Sequence, residues 1–238
     1  MGDLGTILGV WAHPDDETYL TAGIMATAVR NGQRVVCVTA TKGEAGSQDE
    51  VRWPSATIAE VREKELAEAL SMLGVTEHHW LGYIDGRCHE VDDAEPTAKI
   101  RRFIEEVQPD TVLTFGPDGD TGHLDHIAVS RWTTAAFDQA AKPGAKLYYP
   151  TVTPEWEQTF VETFRGYNVY GDRDDLPTVT PKNELGIDFP LGDELLKLKF
   201  EALAVQASQT EGLLKAIDQE FFRSAFVDET FRVAASKQ

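Results

Sequence analysis

Cysteine is nearly absent. The 238 residues hold only Cys37 and Cys88, which excludes a disulfide framework and any Cys-x-x-Cys metal or redox pair. Cys37, inside the run VVCVTA, reads as a small core residue. Basic side chains are also scarce: 22 Lys and Arg stand against 40 Asp and Glu, a formal charge of −18. Such a balance argues against a nucleic-acid partner, which needs clustered cations, and an anionic membrane surface would repel it. No apolar run approaches the ~18 residues of a spanning helix. The opening MGDLGTILGVWAHPDDE lacks the basic leader and apolar length of a secretory signal. Met1-Gly2 with Thr6 matches a myristoylation pattern only formally, because Thr6 opens a strand and leaves no free arm. Repeats, low-complexity tracts and linkers are missing too. What remains is one domain over residues 1–238, cytoplasmic, without membrane insertion. At 42% hydrophobic and 26% charged it has the composition to bury a core.

Strand and helix patterns alternate through the first 150 residues. Strands are expected at 6–12, 34–41, 79–81, 111–115 and 146–151, those at 6–12 and 111–115 of buried type, with helices at 17–31, from Ser55 as cap to Leu73, at 96–108 and from His123 to about 141. Residues 42–54 read as a loop. Beyond Pro154 the pattern gives a helix at 155–164, a turn-rich stretch, an amphipathic helix at 193–209, then a helix and an edge strand in the tail. The alternation implies an α/β fold, a single Rossmann-like domain with a mostly parallel sheet flanked by helices.

In such sheets ligands gather at the carboxyl ends of the strands. Two dense clusters of titratable residues fall there: His13-Pro14-Asp15-Asp16-Glu17 after the first strand, and His123-Leu124-Asp125-His126 after the strand at 111–115. His13 and Asp16, three apart across a turn, can converge on one ion. His123 and His126 share a helix face, and a third ligand from that pair completes a two-His, one-carboxylate site with an open position for water. Asp15 beside them can act as general base. The competing reading of Asp15, Asp16 and Glu17 is a helix N-terminus that simply favours acids.

The pairing of AHPDDE with GHLDH, supported by TKGEAG, Arg62 in VREKELAEA and the helix ending in Ser208-Gln209, resembles the PIG-L (LmbE-like) zinc-dependent deacetylases over most of the chain. The resemblance implies a Zn2+ enzyme, open to another divalent metal, that removes the N-acetyl group from an N-acetylglucosamine-type sugar conjugate. It makes His13, Asp16 and His126 the metal ligands and Asp15 the base. His123 would stabilise the oxyanion or protonate the leaving amine, with Asp125 orienting or charge-coupling it. Arg62 and Glu44 become substrate contacts; the bland alternative for Arg62 is a surface pair with Glu65. Leu124 stands where many members have proline, and Gln206 where they often have histidine. Relatives range from monomers to larger assemblies.

A metallo-β-lactamase-like site fits the sequence poorly, because Thr121 stands where that motif needs its first histidine. An amidase for a bulkier acyl group, of the thiol-conjugate type, and a catalytically silent carbohydrate-binding module are the alternatives. His78 and His79 read as packing or surface residues, and His89 lies in a loop near the cleft. Trp11 is expected in the core, and Trp53 is a candidate for stacking on a sugar.

Overall fold

A computed structural model of the chain describes residues 4–234; Gly2 of the myristoylation pattern and Ala235 of the tail lie outside them. Seven strands form one sheet in the order β3-β2-β1-β4-β5-β7-β6. The first five, β1 (Ile7–Trp11), β2 (Val35–Thr39), β3 (Glu77–Trp80), β4 (Thr111–Leu113) and β5 (Lys146–Pro150), run parallel. β1 and β2 are buried at every residue, the signature of strands covered on both faces. Helices α1 (Asp16–Arg30), α2 (Ile58–Leu73), α3 (Ala94–Val107) and α4 (Leu124–Ala140) make the crossovers. A left-handed Gly74 (φ 78°) closes α2, and the His123 side chain caps α4 by accepting from Asp125 N.

Three features depart from the sequence reading. Ser55 does not cap α2; it is held by Glu50, and the helix begins at Ile58 after Thr57. The helix expected at 193–209 is broken at Gln206 into α6 (Asp193–Val205) and α7 (Ala207–Ala216). The Thr210 hydroxyl donates to the Leu203 carbonyl there, and Glu65 accepts from Ser208 N and Oγ. The tail strand β7 (Asp228–Val233) is not an edge. It lies between β5 and β6 (Ile187–Pro190), antiparallel to both, and β6, which the sequence reading missed, forms the edge.

One core fills both faces of the sheet around Ile7, Leu8, Val10, Val36, Val38 and Trp132. Trp11 is fully buried within it, edge-on to Phe115, as expected. A second, aromatic core (Phe164, Tyr170, Phe200, Leu203, Phe222) joins α5 (Pro154–Gly166) to α6 and α8 (Gln219–Ser224). Between β1 and β4 the strand order reverses, so their outgoing loops part and leave a crevice. Among the described residues no helix is long and apolar enough to cross a membrane.

Candidate metal centre

The loop after β1 enters that crevice first. Asp15 precedes α1 with φ 112° and ψ −30°, a conformation that costs a non-glycine residue about 1–3 kcal/mol. Its carboxylate makes no cap, against the capping reading, and faces the cleft. The Asp15 N–H donates to Glu17 Oε2 (3.1 Å), and Glu17 Oε1 accepts in turn from Gln206 Nε2 (3.1 Å). Asp16 folds back on the loop, where its Oδ2 accepts from Ala12 N (3.1 Å) and His13 N (2.7 Å).

His126 enters from the loop after β4. Its ring stacks on Phe115 at 4.0 Å, and its Nδ1–H donates to the Gly119 carbonyl (2.9 Å), which leaves the Nε2 lone pair free. On the other side, His13 Nε2–H donates to Asp85 Oδ1 (3.0 Å) and sits 3.4 Å from Asp125 Oδ2, so that in the neutral ring Nδ1 is the nitrogen with the lone pair. These two nitrogens face each other at 3.1 Å. Asp16 lies 3.4 Å from His126 Nε2 through Oδ1 and 3.7 Å from His13 Nδ1 through Oδ2.

Without an ion, a proton on His13 Nδ1 bridges that nitrogen to His126 Nε2, and an ion placed among the three groups would displace that proton. Tetrahedral zinc with bonds of about 2.0–2.1 Å sets its ligand atoms about 3.3 Å apart, and the three separations bracket that value. His13, His123 and His126, and likewise His13, Asp85 and Asp125, also offer atoms within 4.8 Å of one another. The second of these sets lies on the Nε2 side of His13, where it orients the ring in the manner of a carboxylate–histidine–metal relay.

Burial would lower the His13 pKa, but Asp125 and Asp85 outweigh it and raise it to about 10. In return His13 draws Asp85 down to about 2, although burial pushes the other way. Burial and the neighbouring His13 hold His126 well below its ordinary range, neutral and able to coordinate. Burial pushes Asp15 up to about 8 against the pull of Arg62.

Of the expected site residues, His13, Asp15, Asp16, Arg62, His123 and His126 line one cleft of about 600 Å³. Four expectations change. The Asp125 carboxylate accepts from Gly86 N (2.7 Å) and Cys88 N (3.0 Å) and faces His13, so it reaches His123 only through its charge and through the Asp125 N–H, which donates to His123 Nδ1 (3.2 Å). Arg62 forms no surface pair with Glu65: it is 4% exposed, and donates to Pro14 O (2.7 Å) and Gly43 O (3.0 Å) while lying 3.5 Å from Asp15 Oδ2. Glu44 is not among the lining residues and accepts from Asp85 N (3.1 Å). Trp53 lies outside the lining as well, with the Arg52 guanidinium 4.2 Å over its ring. Sequence reasoning missed Asp85. Its one signal was an Asp-Gly turn after a sheet strand, with Gly86 at φ 76°.

Residues 8–137 match the family model described as PIG-L, GlcNAc-PI de-N-acetylase. A Kineococcus radiotolerans protein named 1D-myo-inositol 2-acetamido-2-deoxy-alpha-D-glucopyranoside deacetylase is 36% identical over 168 residues, 59% of this chain and 46% of its own. The protein of the same name from Mycolicibacterium gilvum is 35% identical over 175 residues, 63% of this chain and 60% of its own. The match thus spans about half the length of these relatives. In fold, the zinc-inhibited form of teicoplanin deacetylase Orf2 superposes with a TM-score of 0.69 over 96% of this chain and 97% of its own, at 17% identity.

Proposed function

The chain belongs to the PIG-L family, and from that premise we propose that it is a cytoplasmic, metal-dependent hydrolase that removes the N-acetyl group from an N-acetylglucosamine-type conjugate, giving acetate and a free amine. The convergence of His13 Nδ1, His126 Nε2 and Asp16 on one point beside Asp15 carries the reading. Those three groups would hold the ion, and the all-nitrogen-and-oxygen donor set suits zinc. When bound, zinc supplies a Lewis acid and lowers the pKa of a water molecule.

The side chains divide the remaining work. Asp15, facing the cleft beside those three groups, takes the proton of the attacking water. Arg62 keeps that carboxylate in place by joining the β1 and β2 loops beneath it. His123 lies edge-on to His13 at 4.7 Å on the solvent side, where it can stabilise developing charge or hand a proton to the leaving amine. Asp85 and Asp125 fix the His13 tautomer. The names of the relatives support the acetamido sugar as substrate class.

Acetate release from N-acetylglucosamine glycosides, measured with a chelator and after zinc is restored, tests the proposal. Release that disappears with the chelator and returns with zinc is expected. Release that ignores the chelator, or none from any glycoside in a zinc-loaded protein, would contradict it.

A further inference from the structure

The cleft extends beyond the metal-binding groups, and its far half has a different chemistry. Tyr19, one turn beyond Asp15 on α1, packs on Phe226 with ring centroids 5.8 Å apart. Phe226 meets Phe164 at 6.1 Å, and Phe164 stacks on Trp156 at 5.5 Å. These rings, with Tyr170 and Leu213, make a continuous apolar wall built on the second core.

Several polar groups at that end are committed elsewhere, while the Tyr19 and Tyr170 hydroxyls and the Asp120 and Asp228 carboxylates also line the cleft. The indole N–H of Trp156 donates to the Ala225 carbonyl (2.7 Å). Thr151 Oγ1 donates to Thr178 O (2.9 Å), Thr230 Oγ1 donates to Thr151 O (2.6 Å), and Gln209 Nε2 donates to Gly46 O (2.9 Å). A ring of hydroxyls, as in inositol or a second sugar, would lose its water against the rings of Trp156, Phe164 and Phe226, which return no hydrogen bond to the cleft. An anion fares no better. Among the described lining residues Arg62 is the one Lys or Arg, and both of its terminal nitrogens already serve backbone carbonyls. A phosphate would find no free cationic side chain.

Resting on the deacetylase reading, in which the acyl group is only acetyl, we infer that the aromatic half of the cleft is an aglycone site for an uncharged apolar group, aryl or alkyl, attached to the amino sugar. The cleft of about 600 Å³ lies within the usual range for a drug-sized ligand and has room for both parts. Burial of the aglycone should lower KM by up to about fourfold per methylene, the factor that corresponds to about 0.8 kcal/mol each.

The test compares the methyl, hexyl, phenyl and myo-inositol glycosides of N-acetylglucosamine with N-hexanoylglucosamine methyl glycoside. In parallel, hexyl glucoside, which carries no amide, is titrated into the zinc-loaded protein by calorimetry. The expected result is a KM for the hexyl and phenyl glycosides at least tenfold below that of the methyl glycoside, no such gain for inositol, and a hexyl-to-methyl ratio near one in Trp156→Ala. Equal KM values across the glycosides would overturn the inference and leave the deacetylase reading standing. A gain confined to the N-hexanoyl substrate would overturn it in favour of an acyl pocket. If no compound is hydrolysed, the deacetylase reading fails and calorimetry decides this site. Hexyl glucoside binding that Trp156→Ala or Leu213→Asp abolishes would uphold the apolar site, and no measurable binding would overturn it.

Discussion

His13 presents a different chemistry at each ring nitrogen. Nε2 is held by Asp85 and Asp125, and Nδ1 is aimed at His126 and Asp16. Removing such an orienting carboxylate typically weakens metal binding about 10–100-fold. Asp85→Asn should therefore lower zinc affinity by about that factor in a chelator competition while the fold is kept; an unchanged affinity would remove Asp85 from the account. The Asp15 carboxylate lies against Arg62 and not against the three proposed ligands, so Asp15→Ala should retain one zinc yet lose turnover by about 10²–10⁴, the usual contribution of a general base. A fully active Asp15→Ala would show that the base lies elsewhere. The residues that were legible in sequence are those whose geometry is local. His13 and Asp16 sit on one turn, and His123 and His126 lie at one helix start. Asp85 was invisible because only the folding of the loop after β3 over the crevice brings it to His13. Glu44 and Trp53 were misplaced for a related reason: residues 42–54 carry no periodicity that sets a side chain's direction.

Strands and helices of the parallel half were readable from buried runs and 3.6-residue spacing. The carboxy-terminal half was not, because long-range polar contacts decide it. Gln206 breaks the helix where its side chain, 1% exposed, reaches Glu17, a contact 189 residues away in sequence. Lys199 on α6 and Glu229 on β7, each 1% exposed by side chain, pair at 2.9 Å, and Glu229 also accepts from Gly23 N and Ile24 N of α1. This pair joins three elements, and deleting one member strands a buried charge. Lys199→Met should cost about 3–5 kcal/mol in urea unfolding at neutral pH; a change below about 1 kcal/mol would mean that the backbone donors alone satisfy Glu229. On β3, burial holds His78 down at about 4, and Thr39 Oγ1 lies 3.0 Å from its Nε2. A folded pKa below the unfolded value of about 6.5 leaves stability untouched above pH 6.5. Below it the unfolded chain takes the proton first, so stability is lost as pH falls from 6.5 to 4, by up to roughly 2 kcal/mol once partial exposure is discounted. His78→Gln should flatten that part of the melting-temperature curve. An identical acid limb in the variant would place the titration elsewhere.

At the scale of the whole molecule, one topological fact organises the chemistry. Reversal of strand order between β1 and β4 opens a crevice, and the two loops flanking it carry His13, Asp15 and Asp16 on one side and His123 and His126 on the other. The second core then extends that crevice into an aromatic cleft. The charge of −18 keeps such a molecule dispersed and leaves anionic partners unattracted. The central claim is that the convergent His13, Asp16 and His126 hold one ion on which amide hydrolysis depends. Its most direct test is acetate release from an N-acetylglucosamine glycoside as zinc is returned stepwise to the metal-free protein. The account predicts a linear rise that saturates at one zinc per chain and is lost in His126→Ala. Activity in the metal-free protein, or saturation indifferent to His126, would contradict it.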